Sequence, residues 1–373
     1  MLFLLVLALL ASLPALGWLA VALHPARPWA LQPRDGSDDH DLDPPAWPSV
    51  DVIVPARNEE QLLPWTLQAL SAQDYPGEWR LTVVDDRSED RTAEVGHAAG
   101  AAVVRGAPLP EGWVGKVWGL EQGARTAGGD YLLLTDADIR HAPPSLRRLV
   151  AEAESARLDL VSRMARLRCE SGAERLLVPA FLFFFNLLYP MRWANAGRRP
   201  AAAGGCILVR RAALEHAGGF RAIRDAVIDG LALARLIGGR LRLALAEADV
   251  VSLREHDRLR SVWRMVARTA YAELRYSPGR LAAALAALLL VFPLPVLLLL
   301  AATGLAAAGA SAWALAAGVP AVVALVLQAL LYLPTIRYFR LAAWRAGTLP
   351  LAGTLYGAMT LDSALASRDR GYS

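Results

Sequence analysis

The sequence predicts an α/β fold with a doubly wound, mostly parallel sheet and with transmembrane helices at both ends. Strand-like and helix-like runs alternate between residues 50 and 162, and this alternation is typical of βα units. Uncharged apolar runs long enough to cross a bilayer occupy residues 2–23, 281–305 and 311–333. The composition agrees, because 55% of the 373 residues are hydrophobic and 20% are charged, which excludes both an ordinary soluble protein and an all-membrane protein.

Four regions follow from these runs. They are an N-terminal transmembrane anchor at 1–23, a solvated linker at 24–49, a soluble domain at 50–275 and a C-terminal membrane region at 276–373. The first run has the alternative of a cleaved signal peptide, but no basic residues precede it and it is longer than a usual signal core. Residues 346–366 are less apolar and carry Asp362, so we expect a re-entrant or interfacial segment there.

The distribution of arginine predicts the orientation in the membrane. Arginines precede the second apolar run and follow the third, whereas the connector at 304–312 has no positive charge. The rule that cytoplasmic loops are basic therefore places residues 24–280 in the cytoplasm. The same clusters predict anionic lipid headgroups as partners, and no nucleic-acid-binding module is recognisable.

The predicted elements of the soluble domain begin with a strand at 50–55. Further strands are predicted at 81–84, 101–104, 131–135 and 158–162, and helices at 59–72, 91–99, 117–127 and 144–155. Asn58 is predicted to cap the first of these helices. The apolar segment 181–189 is too short to span a bilayer, so it is either a buried helix or a helix in the membrane interface.

Acidic residues directly follow two of the predicted strands. Asp136 and Asp138 come after the fourth strand, and in an extended segment residues i and i+2 point to the same side. Such a pair suits Mg²⁺ or Mn²⁺ holding phosphate oxygens. Asp85 and Asp86 follow the second strand, and parallel sheets bind ligands at these ends. The alternative for that pair is a helix-capping turn, but capping does not need two consecutive acids.

Three motifs at strand ends resemble those of the family-2 glycosyltransferases. They are Val-Pro-Ala-Arg-Asn-Glu-Glu at 54–60, Val-Asp-Asp-Arg-Ser-Glu-Asp at 84–90 and Thr-Asp-Ala-Asp at 135–138. The resemblance implies the A-type glycosyltransferase fold and a nucleotide pocket lined by Pro55, Arg57 and Glu59. It also implies that Asp85 and Asp86 receive the uracil and the ribose. Asp138 matches the metal ligand, with Asp136 beside it toward the ribose or a metal-bound water.

Two further residues are candidates for the site. Lys116 is the only lysine of the chain and could meet a phosphate as a point charge, although a surface lysine starting a helix is the alternative. The family's general base lies in an acidic pair before a helix, and Asp229 matches it best. Gly230 stands where many relatives have the second acid, and Asp225 is the fallback. Cys206, in a glycine-rich segment resembling the acceptor side of the family, is predicted to be a small packing residue.

The chain most resembles the hopene-associated glycosyltransferases of bacteria, through Gly-Trp-Val-Gly-Lys-Val-Trp at 112–118 and the segments 263–271 and 359–364. This resemblance implies a multi-pass protein of the bacterial inner (plasma) membrane with a cytoplasmic catalytic domain. It implies inverting transfer of a hexosyl or N-acetylhexosaminyl group from a nucleotide-sugar donor, a UDP-sugar, to a lipid such as a hopanoid or other polyisoprenoid.

The chain departs from the polysaccharide-forming relatives because their Arg-Trp motif is not intact, which argues against a processive polymerase. A non-catalytic nucleotide-binding membrane scaffold is the alternative function, and Gly230 is the feature that favours it. Nucleotidyl transfer is a third possibility, but the chain lacks a glycine-rich phosphate loop after the first strand.

Overall fold

The computed structural model describes residues 2–35 and 43–369, with the backbone alone for residues 368 and 369. The chain forms two units. We call Gln32–Arg168 with Met191–Glu255 the sheet unit, and Met1–Leu31 with Cys169–Pro190 and His256–Ser373 the helical unit. This division differs from the predicted soluble domain at 50–275, because residues 169–190 and 256–275 pack with the apolar helices. Part of the predicted linker, residues 36–42, lies outside the described residues.

The sheet unit contains a seven-stranded, mostly parallel sheet, which confirms the predicted α/β class. The strand order is β3-β2-β1-β4-β7-β6-β8, and only β7 runs antiparallel to its neighbours. The strands are β1 (Val50–Ala56), β2 (Trp79–Asp85), β3 (Ala102–Arg105), β4 (Tyr131–Thr135), β6 (Leu160–Met164), β7 (Cys206–Arg210) and β8 (Leu241–Leu245). The strand order reverses between β1 and β4, and a crevice for ligands opens at such a switch point.

Two short strands form a second sheet that the sequence did not predict. β5 (Ile139–His141) pairs antiparallel with β9 (Val250–Ser252), and Ile139 lies opposite Ser252. Three-residue strands are too short to show a period of two, so the hydrophobic pattern carries no sign of them. This ladder brings the segment after β9 beside the segment after β4.

The helices of the sheet unit flank the large sheet. They are α2 (Leu63–Ser71), α3 (Thr92–Ala98), α4 (Gly115–Thr126), α5 (Ser145–Ser155), α7 (Met191–Asn195), α8 (Arg211–His216) and α9 (Asp229–Ile237), with a 3-10 helix at Phe220–Ile223. The core between them is apolar and includes the buried side chains of Val52, Val54, Leu67, Leu133, Leu149 and Val161. Burial of these side chains stabilises the sheet and fixes its strand ends.

The predicted cap of α2 is wrong. Asn58 has a positive φ of 55° and lies in the loop after β1, and the helix begins only at Leu63, with Pro64 in its first turn. The Asn58 side chain accepts a hydrogen bond from the Glu89 backbone amide at 2.8 Å instead. Asn58 therefore links the loops after β1 and β2 and does not cap α2, because its side chain is bound to the Glu89 amide.

The segment before β1 is bound along β8. The Arg34 amide donates to the Leu245 carbonyl at 2.7 Å, and the Asp35 carboxylate accepts from the amides of Glu247 at 2.5 Å and Ala248 at 2.7 Å. Residues 33–35, predicted as part of a solvated linker, are thus attached to the sheet unit.

Within its described residues, the helical unit has three helical segments that are long and apolar enough to cross a membrane. They are Leu2–Leu23, Pro278–Ala307 and Ser311–Tyr338. Its helices are α1 (Leu2–Leu23), α6 (Gly172–Leu188), α10 (Leu259–Ala267), α11 (Ala270–Glu273), α12 (Pro278–Val291), α13 (Pro293–Ala307), α14 (Ser311–Tyr338) and α15 (Leu349–Asp369), with a 3-10 helix at Ala343–Thr348. Residues 346–366 thus fall mostly in α15, and the apolar segment 181–189 falls mostly in α6, where Phe183 is buried.

The second apolar run is broken between α12 and α13. Pro295 has no amide hydrogen, so the Val291 carbonyl lacks its helical partner. The indole of Trp18 donates to this oxygen at 3.2 Å and the Gln328 amide donates at 2.9 Å. Neighbouring helices therefore satisfy the freed carbonyl, as prolines in membrane helices require.

Candidate active site at the switch point

Hydrogen bonds join the loop after β1 to the loop after β2, beside the switch point between β1 and β4. The Asn58 amide donates to Ser88 Oγ at 2.9 Å, and the Glu60 amide donates to Asp90 Oδ2 at 3.1 Å. The Glu59 amide donates to Thr92 Oγ1 at 2.8 Å. These contacts position Arg57 and Glu59, two of the predicted nucleotide residues. The third, Pro55, lies in β1 beneath α4.

Asp85 and Asp86 have different surroundings. Asp85 is buried, and its carboxylate accepts a hydrogen bond from the Ser88 amide at 3.1 Å, so it shapes the turn after β2. Asp86 faces Arg57 Nη1 and Arg87 Nε, each 3.8 Å away. Its Oδ1 atom is buried without a hydrogen-bond partner. This oxygen is an acceptor in the pocket that a bound N–H or hydroxyl group can satisfy.

Asp136 and Asp138 lie in a turn and not in an extended segment. The strand β4 ends at Thr135, and the Ile139 amide donates to the Asp136 carbonyl at 3.2 Å as the chain turns into β5. The extended geometry expected for residues 136–138 is therefore absent, because the chain turns at residues 137 and 138 before β5. Each carboxylate contacts a different cation, Lys116 for Asp136 and Arg254 for Asp138.

Lys116 joins two of the predicted carboxylates. Its Nζ atom lies 2.6 Å from Asp136 Oδ1 and 3.0 Å from Asp229 Oδ2. Burial alone would lower the pKa of Lys116, but the two carboxylates outweigh burial and raise its pKa, so the amine stays protonated. Burial, together with the nearby Asp229 carboxylate, raises the pKa of Asp136, while Lys116 opposes this rise. Lys116 lies in the first turn of α4, and its amine also donates to the Gly204 carbonyl at 3.4 Å.

Arg254 is a site residue that sequence reasoning missed. Its Nε atom lies 2.6 Å from Asp138 Oδ2, and its Nη2 atom lies 2.5 Å from Glu59 Oε1. Burial raises the pKa of Glu59, and Arg254 lowers it by a smaller amount. Arg254 follows β9, and only the pairing of β9 with β5 brings it to Asp138. A single sequence contains no signal for that pairing.

The structure distinguishes the two candidates for the base. Asp229 is the first residue of α9 and contacts Lys116, whereas Asp225 is exposed. Gly230 is explained by packing, since a Cβ atom there would lie 2.8 Å from both the Ala202 carbonyl oxygen and the Gly204 nitrogen. A second acid cannot fit at this position without displacing that backbone.

Buried polar side chains support the turn that carries Asp136. Thr135 Oγ1 lies 2.8 Å from His141 Nε2, and His141 Nδ1 lies 3.2 Å from Ser145 Oγ. Burial lowers the pKa of His141 to about 4, so the ring is neutral at pH 7. Cys206 is buried nearby, and burial raises the pKa of its thiol, in agreement with the predicted packing role.

Residues 51–218 match the model of glycosyl transferase family 2. All three motifs at the ends of β1, β2 and β4 lie inside the matched segment. The match covers less than half of the 373-residue chain, so it shows a likeness of this segment to the family. Asp229 and Arg254 lie beyond it, so their roles rest on geometry.

Two curated relatives of the chain are glycosyltransferases or transferases by name. The chain is 33% identical over 181 residues to an N-acetylglucosaminyltransferase of Mesorhizobium japonicum, covering 46% of the chain and 42% of the relative. It is 30% identical over 132 residues to an undecaprenyl-phosphate 4-deoxy-4-formamido-L-arabinose transferase of Pseudomonas fluorescens, covering 34% and 38%. The chain thus spans less than half the length of these curated relatives.

A solved mannosyltransferase structure has a similar fold. The mannosyltransferase PcManGT from Pyrobaculum calidifontis, solved in complex with GDP-Man and Mn²⁺, aligns over 99% of this chain and 100% of its own. The TM-score is 0.55 and the sequence identity is 20%. With the family-2 match, this likeness confirms the predicted A-type glycosyltransferase fold.

The carboxylate oxygens at the end of β4 are of the type that a divalent cation prefers. Among the described residues no group of three or more His, Cys, Asp or Glu side chains is arranged to hold a metal ion. The end of β4 supplies two carboxylates, Asp136 and Asp138. One or two carboxylates completed by substrate phosphates are the usual protein contribution to a Mg²⁺ site.

Proposed function

We propose that the protein is a membrane-bound inverting glycosyltransferase that moves a sugar from a nucleotide donor to a lipid acceptor. The observation that carries this proposal is Lys116, because one amine contacts Asp136 of the donor motif and Asp229, the candidate base. Residues more than a hundred positions apart in sequence thereby form one site at the switch point of the sheet.

The donor pocket in this proposal lies at the ends of β1, β2 and β4. The Asp86 Oδ1 atom is buried and has no hydrogen-bond partner, so it suits an N–H of a pyrimidine base or a ribose hydroxyl, which supports a UDP-sugar as donor. Arg57 lies beside that carboxylate. Glu59 lies in the loop after β1, and we place its side chain at the edge of this pocket.

A divalent cation, Mg²⁺ or Mn²⁺, held by Asp138 with Asp136 beside it, would neutralise charge on the leaving diphosphate. Asp229 accepts the proton of the acceptor hydroxyl as that oxygen attacks the anomeric carbon from the face opposite the diphosphate. A carbon–oxygen bond to the acceptor forms, the bond to the diphosphate breaks, and the configuration inverts. Lys116 holds Asp229 in place and keeps a positive charge beside it.

The membrane part of the proposal rests on the three apolar helical segments, which are long enough to cross a bilayer. The bias of arginine places the catalytic domain in the cytoplasm, at the inner (plasma) membrane of a bacterium. A lipid acceptor suits this location, and one relative of the family-2 segment is named for undecaprenyl phosphate. A hopanoid or another polyisoprenoid is the acceptor that the sequence resemblance favours, and hexosyl or N-acetylhexosaminyl groups are the donor sugars to test.

The alternative of a non-catalytic scaffold loses its main support. Gly230 favoured it because a second acid is absent there, but backbone atoms of residues 202–204 leave no room for any side chain. Glycine at this position is therefore explained by packing, and the absent acid is not by itself a sign of lost catalysis.

The test is transfer by the full-length protein in purified membranes, with UDP-sugars as donors and the extracted lipids analysed by mass spectrometry. Asp138→Ala should abolish transfer, whereas Asp159→Ala, at a carboxylate that pairs with Arg240, should not. Wild-type transfer by Asp138→Ala would refute the proposal. Hydrolysis of a UDP-sugar without acceptor separates an enzyme from a scaffold, because only an enzyme cleaves the donor.

A further inference from the structure

Arg254 occupies a bridging position between two carboxylates of the proposed donor site. The guanidinium contacts Asp138 at 2.6 Å and Glu59 at 2.5 Å, one nitrogen for each carboxylate. Asp138 is the better protected partner, with 13% of its side chain exposed, whereas 42% of the Arg254 side chain is exposed. The head group is thus fixed on one side and open to solvent on the other.

The backbone holds Arg254 at this place. Ile139 pairs with Ser252 in the β5–β9 ladder, and the Leu253 amide donates to the Asp138 carbonyl at 2.8 Å. The chain next to Arg254 is therefore tied to the chain that carries Asp138. The pairing register of β5 with β9 therefore brings the Arg254 and Asp138 side chains together.

The charges around Arg254 make the contact strong. Two cations, Lys116 and Arg254, face four carboxylates, those of Glu59, Asp136, Asp138 and Asp229. Burial alone would lower the pKa of Arg254, but Asp138 and Glu59 raise it, so the guanidinium remains charged. Two nitrogen atoms of a planar guanidinium can hold two acceptors in a fixed geometry that a single ammonium cannot reproduce.

Binding of a guanidinium and a divalent cation to Asp138 at the same time is electrostatically unfavourable. Two positive groups at one carboxylate repel each other, and partial burial of Asp138 weakens the screening by water. A bound diphosphate changes this balance, because its negative charges attract the metal ion and also attract the displaced guanidinium. Metal and nucleotide then favour each other's binding, and this coupling is equal in both directions.

We propose that Arg254 is a positioning residue that competes with the divalent cation for Asp138, so that the metal binds tightly only together with the nucleotide diphosphate. The guanidinium keeps its contact with Glu59 and gives up Asp138 when the metal and the diphosphate enter. This inference rests on the proposed nucleotide-sugar function and assigns Arg254 control of the order in which the ligands bind.

The test measures Mn²⁺ binding by electron paramagnetic resonance on the full-length protein in detergent, with and without UDP. Without UDP, Arg254→Gln should bind Mn²⁺ roughly tenfold more tightly than wild type, because a repelling charge is removed. The ratio of Mn²⁺ affinities with and without UDP should fall by a similar factor. Arg254→Lys keeps the charge but bridges less well, so its Mn²⁺ affinity should lie between the two.

Arg140→Gln is the matched control, since Arg140 is an exposed arginine two residues from Asp138 and its loss changes the net charge equally. Its Mn²⁺ affinity should equal that of wild type. Unchanged or weaker Mn²⁺ binding by Arg254→Gln overturns the inference, as does equal tightening in Arg140→Gln. If UDP binds normally in that case, the proposed function stands; if wild type binds neither UDP nor Mn²⁺, the proposed function fails as well.

Discussion

The amine of Lys116 lies 3.0 Å from the Asp229 carboxylate, although 113 residues separate them in the chain. Helix α4 begins at Gly115 and helix α9 begins at Asp229, so both partners stand in first turns, where the backbone is well defined. Gly204 lies against this pair, and a Cβ atom at residue 204 would be 3.0 Å from Asp229 and 3.2 Å from Lys116. The backbone at Gly204 therefore packs against one side of the pair, while 32% of the Lys116 side chain is exposed.

The first prediction concerns the base. Asp229→Asn keeps the shape of the side chain but removes its ability to accept a proton, so kcat should fall by about 10²–10⁴-fold. Asp225→Asn should retain activity near that of wild type, because Asp225 is exposed and does not contact Lys116. Steady-state transfer rates at saturating donor and acceptor decide between them. A larger loss in Asp225→Asn would move the base assignment to that residue.

The second prediction concerns the coupling of Lys116 to the base. Lys116→Met removes the cation between Asp136 and Asp229, and we expect kcat to fall by about 10²-fold, as for loss of one buried electrostatic contact. The double variant Lys116→Met/Asp229→Asn should be no slower than the slower single variant, since both disrupt one unit. Strict additivity of the two effects would show that the residues act independently.

The third prediction concerns Gly230. Gly230→Ala places a Cβ atom 2.8 Å from the Ala202 oxygen and the Gly204 nitrogen, and such overpacking should cost about 1–3 kcal/mol of stability. This cost exceeds the gain of up to about 1 kcal/mol that alanine brings to a helix. Gly128→Ala is the control, because a Cβ atom there meets nothing within 4 Å. Thermal unfolding in detergent should show a lower midpoint for Gly230→Ala alone.

The fourth prediction concerns pH and His141. Its folded-state pKa of about 4 lies below the ordinary value of 6.5, so the unfolded chain takes up a proton first as the pH falls. The folded state therefore loses stability between pH 6.5 and 4, by about 1 kcal/mol from pH 6.5 to 5.5. His141→Gln should unfold more easily at pH 7 but should lack this part of the acid dependence. Equal slopes of unfolding free energy against pH in both proteins would contradict the prediction.

The membrane helices and the main strands follow from local sequence patterns. The apolar runs at 2–23 and 311–333 are long enough to predict helices by themselves, and α1 and α14 agree with them. The strand predicted at 131–135 is β4, and the acids after it lie at the switch point as expected. These features can be read from local sequence, because a buried strand and a long apolar helix each need an uninterrupted run of apolar residues.

A tertiary contact decides one boundary that the sequence analysis missed, and prolines decide another. Asn58 is a good capping residue by type, but its side chain binds the Glu89 amide and α2 starts later. The run at 281–305 is one apolar stretch in sequence, and yet it forms two helices around Phe292. In both cases a tertiary hydrogen bond or a proline outweighs the local preference.

The sequence by itself determined the α/β class, the long apolar helices and the residue types at the strand ends. Only the tertiary structure decided how their charges are paired, with Lys116 on Asp136 and Asp229, and Arg254 on Asp138 and Glu59. Hydrophobic periodicity and residue propensity predict the conformation of each segment, but they contain no information about which distant residues it will contact. Which cation meets which carboxylate depends on strand order and register, because these bring residues from distant parts of the chain within hydrogen-bonding distance.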